Sequence, residues 1–136
     1  MLQDKFRAYI RERGLCTHEN RILLAVSGGV DSMVMLSLFV RGGYEVGVAH
    51  CNFQLRGAEA DEDDLLVERE ATRYGIPYYG VRFDTMAEVA ATGESVEMAA
   101  RRLRYEWFDK LCEERRYDRV AIAHHADDSV ETCFSN

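Results

Sequence analysis

The chain is 136 residues long, 47% hydrophobic and 30% charged, with a formal net charge of −7. Those values fit one ordinary globular domain able to bury a core, and they exclude wholesale disorder, a collagen-like repeat and a whole-surface nucleic-acid binder. Its longest apolar stretches, such as Val34–Val40, fall far short of the ~20 residues that cross a bilayer. The charged segment Met1–Gly14 also lacks a secretory centre, so a cytoplasmic protein with no membrane partner is expected.

Leu2, Phe6, Tyr9 and Ile10 share one helical stripe, and the spacing predicts an amphipathic helix ending near Gly14. Ile22–Val26 reads as a buried strand. Ser27-Gly28-Gly29 breaks that pattern, and Asp31–Val40 restarts at helical spacing until Gly42-Gly43. Glu45–His50 is a second strand, followed by an irregular Cys51–Gly57. The acidic run Asp61-Asp64 opens a helix that continues to Tyr74, where carboxylates complement the positive end of the helix dipole. That role explains the run more economically than a metal site does.

Pro77–Phe83 is predicted as a third strand, then a connector, then a long helix over Ser95–Arg116 capped by Thr92 or Ser95. Trp107 and Phe108 belong to its core face, and the i,i+4 spacing of Glu97 and Arg101 supports a surface salt bridge. Arg119–Ala123 is a fourth strand, and Ser129 onward reads as the start of another helix. Alternation of strand and helix implies an α/β, doubly wound sheet of parallel strands joined by right-handed crossovers. The chain reaches Asn136 barely a turn into that last helix, so a longer protein, with the C-terminal part of the sheet elsewhere, is expected.

The four cysteines, Cys16, Cys51, Cys112 and Cys133, form no CxxC and are expected to be small buried apolar residues. All but two of the seventeen basic residues are arginine, which favours bidentate contacts wherever a local basic patch exists.

In an open parallel sheet, ligands bind beyond the carboxyl ends of the strands. Three segments leave such ends: Ser27–Ser32, His50–Asn52 and His124–Asp128. The first joins strand to helix. Its glycines let the backbone approach an anion, and the helix N-terminus presents unpaired N–H groups. It has neither the GK[ST] ending of a Walker loop nor GxGxxG spacing. A plain Gly-Gly turn, with Asp31 capping the helix, explains the loop equally well. The adjacent carboxylates Asp127 and Asp128 favour the anion reading, because beside a phosphate they call for a bridging cation such as Mg²⁺. His124 and His125, as chain neighbours, are poor zinc ligands, and helix capping by Asp127 or Asp128 is compatible with metal binding.

Ser27-Gly28-Gly29-Val30-Asp31-Ser32 resembles the SGGxDS loop of the N-type ATP pyrophosphatases, the PP-loop enzymes. Within them the chain is similar to the N-terminal domain of the tRNA(Ile)-lysidine synthetases. His50-Cys51-Asn52-Phe53-Gln54-Leu55-Arg56 resembles their HVNHxLR stretch. Glu97, Ala100, Arg101, Arg104, Tyr105 and Phe108 fit ExxARxxRYxxF, and His124–Thr132 fits HHxDDQxET. Phe53 departs from the second His, and Ser129 from the usual Gln.

The resemblance implies a single PP-loop ATP-binding domain over residues 1–136, carrying the ATP half of a larger site. Ser27, Gly28, Gly29, Val30, Asp31 and Ser32 would hold the pyrophosphate, with backbone near His50 and Asn52 facing adenine. Asp31, Asp127 and Asp128 would be catalytic as Mg²⁺ ligands, and Arg101 and Arg104 would contact substrate. The implied reaction joins free lysine to the wobble cytidine of a tRNA(Ile) with a CAU anticodon, with homodimerisation left open. The tRNA 2-thiocytidine synthetases share the loop but should carry CxxC cysteines, which are absent. PP-loop ligases acting on xanthylate or nicotinate substrates lack the HCNFQLR and RRLRY features. A non-catalytic nucleotide-binding module is the reading from another class.

Overall fold

The computed structural model describes residues 2–123 and, as backbone, residues 128–132. Five strands form one sheet in the order β3-β2-β1-β4-β5. Strands β1 (Arg21–Ala25), β2 (Glu45–Asn52), β3 (Tyr78–Arg82) and β4 (Arg119–Ala123) are parallel, and β5 (Asp128–Thr132) is antiparallel to β4. Ile22, Leu23 and Leu24 of β1 are fully buried. A central strand covered on both faces needs such an unbroken apolar run, and each side chain contributes ~1.5–3 kcal/mol by leaving water.

The layers follow from side-chain alternation. Ile22, Leu24, Val46 and Val48 pack with Ile10 of α1 (Leu2–Arg13), Met35, Leu36 and Phe39 of α2 (Val30–Arg41), and Val67 and Ala71 of α3 (Ala58–Tyr74). Leu23 and Ala49 face the other way, onto Phe108, Leu111 and Cys112 of α5 (Val96–Arg115) and Tyr117. Helices therefore cover both faces, as the doubly wound reading requires. From β1 the chain runs outward through β2 and β3, then returns to β1's other side as β4. The order of strands reverses between β1 and β4, and the loop after β1 stands at that crevice.

Several expectations are corrected. The segment from Ser129 is strand, not helix: four residues separate β4 from β5, too few for a parallel crossover, so the chain can only return antiparallel along β4's edge. The connector before the long helix is itself a helix, α4 (Thr85–Thr92), whose cap Asp84 accepts from Ala87 N at 3.2 Å. Of the two caps the sequence offered, Ser95 caps α5, accepting from Met98 N at 3.2 Å, as expected. Gly29 occupies the N-cap of α2 with no side-chain cap bond, so Asp31 lies in the first turn. Among the described residues Glu97 and Arg101 form no ion pair, and the Arg101 guanidinium lies over the Tyr105 ring, 5.2 Å from its centroid. Cys16 and Cys51 are free thiols, but Cys112 is disulfide-bonded, a pairing set by spatial approach that spacing along the chain does not reveal. Cys133, His124, His125 and Asp127 lie outside the described residues. No helix among the described residues is long and apolar enough to cross a membrane.

Candidate functional site

The β1–α2 loop leaves the sheet between two buried anchors, Val26 and Ser32. Its backbone donors converge. Ser27 N and Gly28 N both donate to Ser32 Oγ at 3.2 Å, and Gly29 N donates to Ser27 Oγ at 3.2 Å. Ser32 Oγ donates onward to the Gly29 carbonyl at 2.9 Å. Three N–H groups thus meet neutral hydroxyls at a helix N-terminus. A phosphate oxygen offers a stronger, charge-assisted acceptor in the same place. Gly28 has φ +99°, and a Cβ there would press on the Asp63 carboxylate at 3.1 Å, so glycine is required for conformation and for space. Val30 is 79% exposed and Asp31 is exposed, both on the outer side of the first helical turn.

The end of β2 supplies the second wall. His50 and Asn52 alternate onto the same face and are buried. His50 Nδ1 lies 2.8 Å from the Val26 carbonyl, and Nε2 lies 2.7 Å from Asp64 Oδ1. Asn52 Nδ2 donates to Asp64 Oδ2 at 2.9 Å and to Asp61 Oδ1 at 3.1 Å. Arg82 of β3 faces the same two carboxylates at 3.3–3.4 Å. Arg56 pairs with Asp63 at 2.9 Å and Glu59 at 3.6 Å.

A cleft of about 230 Å³ opens between the loop and β2, lined by Ser27, His50, Asn52, Phe53, Arg56 and Asp63 among others. Phe53 stacks on Phe83, with centroids 5.6 Å apart, and Trp107 meets Phe83 edge-on. Cys51 points to the opposite sheet face. Burial pushes its thiol up to about 12, against the nearby positive charge of Arg104. Arg104 therefore reaches the end of β2, its buried Nε lacking a partner among the described residues, whereas Arg101 is exposed.

The structure thus brings Ser27–Ser32, His50 and Asn52 to one end of the sheet. Asp128 is placed only as backbone in β5, and Asp127 is outside the described residues. Sequence reasoning missed Asp61, Asp63 and Asp64 as members of this constellation. Helix α3 begins at Ala58, so Asp61 lies in its first turn and Asp63 and Asp64 in its second, and their carboxylates turn to Asn52, Gly28 and His50 without capping the helix. The available signal was an acidic run that follows a polar strand end by under ten residues.

The PP-loop domain family pattern matches residues 1–135, and the chain belongs to that family, whose members bind ATP. The chain is 46% identical over 136 residues to a tRNA(Ile)-lysidine synthase of Porphyromonas gingivalis, covering 99% of this chain and 30% of that protein. It is 41% identical over 138 residues to a tRNA(Ile)-lysidine synthase of Chlorobaculum tepidum, covering 98% of this chain and 42% of that protein. It therefore spans well under half the length of these curated relatives. In fold it is similar to an NH3-dependent NAD synthetase from Campylobacter jejuni, with TM-score 0.62, 19% identity, and 87% of this chain and 53% of the other covered.

Proposed function

We propose that the chain is the ATP half of a tRNA(Ile)-lysidine synthetase, a carbon–nitrogen ligase acting on the wobble cytidine of a tRNA(Ile) with a CAU anticodon. One observation carries the ATP half of this reading: the N–H groups of Ser27, Gly28 and Gly29 converge at the N-terminus of α2, beside a cleft that can take a base and sugar. The tRNA half rests on the likeness to the named relatives.

In this reading the cytidine C2 oxygen attacks the α-phosphorus of ATP, forming an O–P bond as the bond to pyrophosphate breaks. The amine of free lysine then forms a C–N bond at C2, AMP leaves, and the nitrogen loses its proton to solvent. Ser27, Gly28, Gly29 and Ser32 hold the departing pyrophosphate, and the helix end offsets the charge that builds on it. Backbone near His50 and Asn52 meets the adenine side, and Arg101 and Arg104 are assigned to substrate contact by the resemblance alone.

Mg²⁺ fits the donor set. The described residues hold no group of three metal-ligating side chains, and exposed Asp31 offers one carboxylate at the loop's mouth, as suits an ion that also takes phosphate oxygens. Asp127 and Asp128 would complete it, and the ion would supply charge neutralisation at the leaving group. The test is calorimetric titration of the chain with ATP, with and without Mg²⁺. Binding that needs Ser32 and Asp31 is expected. A folded chain that binds no ATP would overturn the reading, and binding without pyrophosphate release by a longer chain given tRNA and lysine would support a non-catalytic module.

A further inference from the structure

Asp64 joins three elements that are far apart in sequence. One carboxylate oxygen meets His50 Nε2 at 2.7 Å, the other accepts from Asn52 Nδ2 at 2.9 Å, and Arg82 approaches at 3.3 Å. His50 is 3% exposed and Asn52 2%, so neither can turn to water for a replacement partner. The Val26 carbonyl can only accept, so His50 Nδ1 carries a hydrogen. Nε2, on the other side of the ring, faces the Asp64 carboxylate at 2.7 Å. Val26 immediately precedes Ser27. A line of bonds therefore runs from α3 through His50 to the point where the anion loop begins.

A second line runs through Asn52, whose Oδ1 accepts from Gln54 N at 2.8 Å. Gln54 has φ +56°, in the left-handed region, and the bend it makes carries Leu55 and Arg56 across the cleft. One carboxylate thus holds both walls of the site. Asp64 is poorly placed to touch a phosphate itself, because both its oxygens are already engaged.

We infer that Asp64 is the positioning residue of this nucleotide site, setting the phosphate loop through His50 and Val26 and the opposite wall through Asn52. The inference rests on the nucleotide reading above and deepens it. A role confined to stability would lower the melting temperature and leave the loop's geometry and affinity in the folded protein untouched.

The test compares the chain with Asp64→Ala, Asp64→Asn and, as a control, Glu62→Ala, which removes an exposed carboxylate two residues away. Each is titrated with Mg-ATP and with inorganic pyrophosphate. NMR follows the His50 ring nitrogens and the amides of Ser27, Gly28 and Gly29. Asp64→Ala is expected to weaken both ligands on the order of tenfold, to move the three amides and to change the Nε2 signal. Asp64→Asn can donate from its amide nitrogen to Nε2 of the His50 Nδ1–H tautomer while its oxygen accepts from Asn52, and should recover most of the affinity, while Glu62→Ala should change nothing. Unmoved amides with wild-type affinity in Asp64→Ala would overturn the inference, as would an equal loss in Glu62→Ala. If Asp64→Ala does not fold, Asp64→Asn decides: a tenfold loss with unmoved His50 and loop signals overturns it. If the unaltered chain binds neither ligand, the nucleotide reading fails, and the amide shifts in Asp64→Ala alone decide whether Asp64 sets the loop.

Discussion

The two faces of the sheet place their charged groups differently. Beneath α1, α2 and α3 an aliphatic core packs against the Phe6–Phe39–Tyr44 aromatic cluster, and its upper end gives way to the buried His50–Asn52–Asp64 cluster. Beneath α5 the core joins Leu23, Leu111, Val120 and Ile122 to Phe108, Trp107, Tyr105, Tyr79 and Tyr117, and its ionic network lies outside, where Arg102 meets Glu88, Glu94 and Glu106. Both faces use charge, but only one buries it. A buried polar group without its partner costs far more than an exposed one, so the first face can hold a loop in one geometry while the second chiefly holds the fold together.

Replacing Gly47 by alanine should break the face under α5 and give the largest effect. A Cβ there would collide with the Tyr117 hydroxyl, which is fully buried and bonded to Tyr79 at 3.0 Å. A stability loss of about 1–3 kcal/mol is expected in chemical denaturation, with ATP affinity kept in the fraction that folds. Loss of affinity in that folded fraction would show that the faces are coupled.

Asp31→Ala should do the reverse. Its side chain is exposed, so the denaturation midpoint should stay within the small range of surface substitutions. Under the proposed function, Mg²⁺-dependent ATP binding should disappear in calorimetry, and a longer chain carrying the substitution should fail to adenylate tRNA. Normal turnover there would remove Asp31 from the metal role.

Arg56→Ala is expected to be milder. It leaves the Asp63 carboxylate unbalanced beside Gly28, and ATP should bind roughly three- to fivefold more weakly at low salt, with the deficit shrinking as salt is added. An unchanged affinity at every salt concentration would mean that Asp63 is not felt at the loop.

The smallest effect belongs to Arg102→Ala. Hydrogen bonds from Arg102, then from Thr92, hold Glu94 below the usual carboxylate range. A lowered folded value means that the pair's contribution is complete above that range and fades as pH falls through Glu94's own titration. The variant and the parent should therefore converge in melting temperature on the acid side. A difference that persists in acid would assign Arg102 a packing role instead.

Much of the fold is legible in local pattern. The unbroken Ile22–Val26 run, the valine-rich β2 and the Gly-Gly break after Val26 each report the environment of a few neighbouring residues, and periodicity encodes that directly. The same locality explains the failures. Ser129 onward satisfies a helix start, yet the segment lies beside β4's edge and pairs there, because strand pairing depends on which edge is near and on connection length. Asp61–Asp64 satisfies a helix N-terminus, yet α3 starts at Ala58 and turns three of those carboxylates toward Gly28, His50 and Asn52.

The sequence by itself determined the alternation of strand and helix, the loop that can cradle an anion and the likeness to the PP-loop family, since each is written in contiguous residues. Only the tertiary structure decided the order β3-β2-β1-β4-β5, the antiparallel fifth strand and the reach of Asp64 to His50 and of His50 to Val26. Those features join residues 14 and 24 positions apart across two strands and a helix. Such contacts are selected by how the faces pack, and no single stretch of chain carries them.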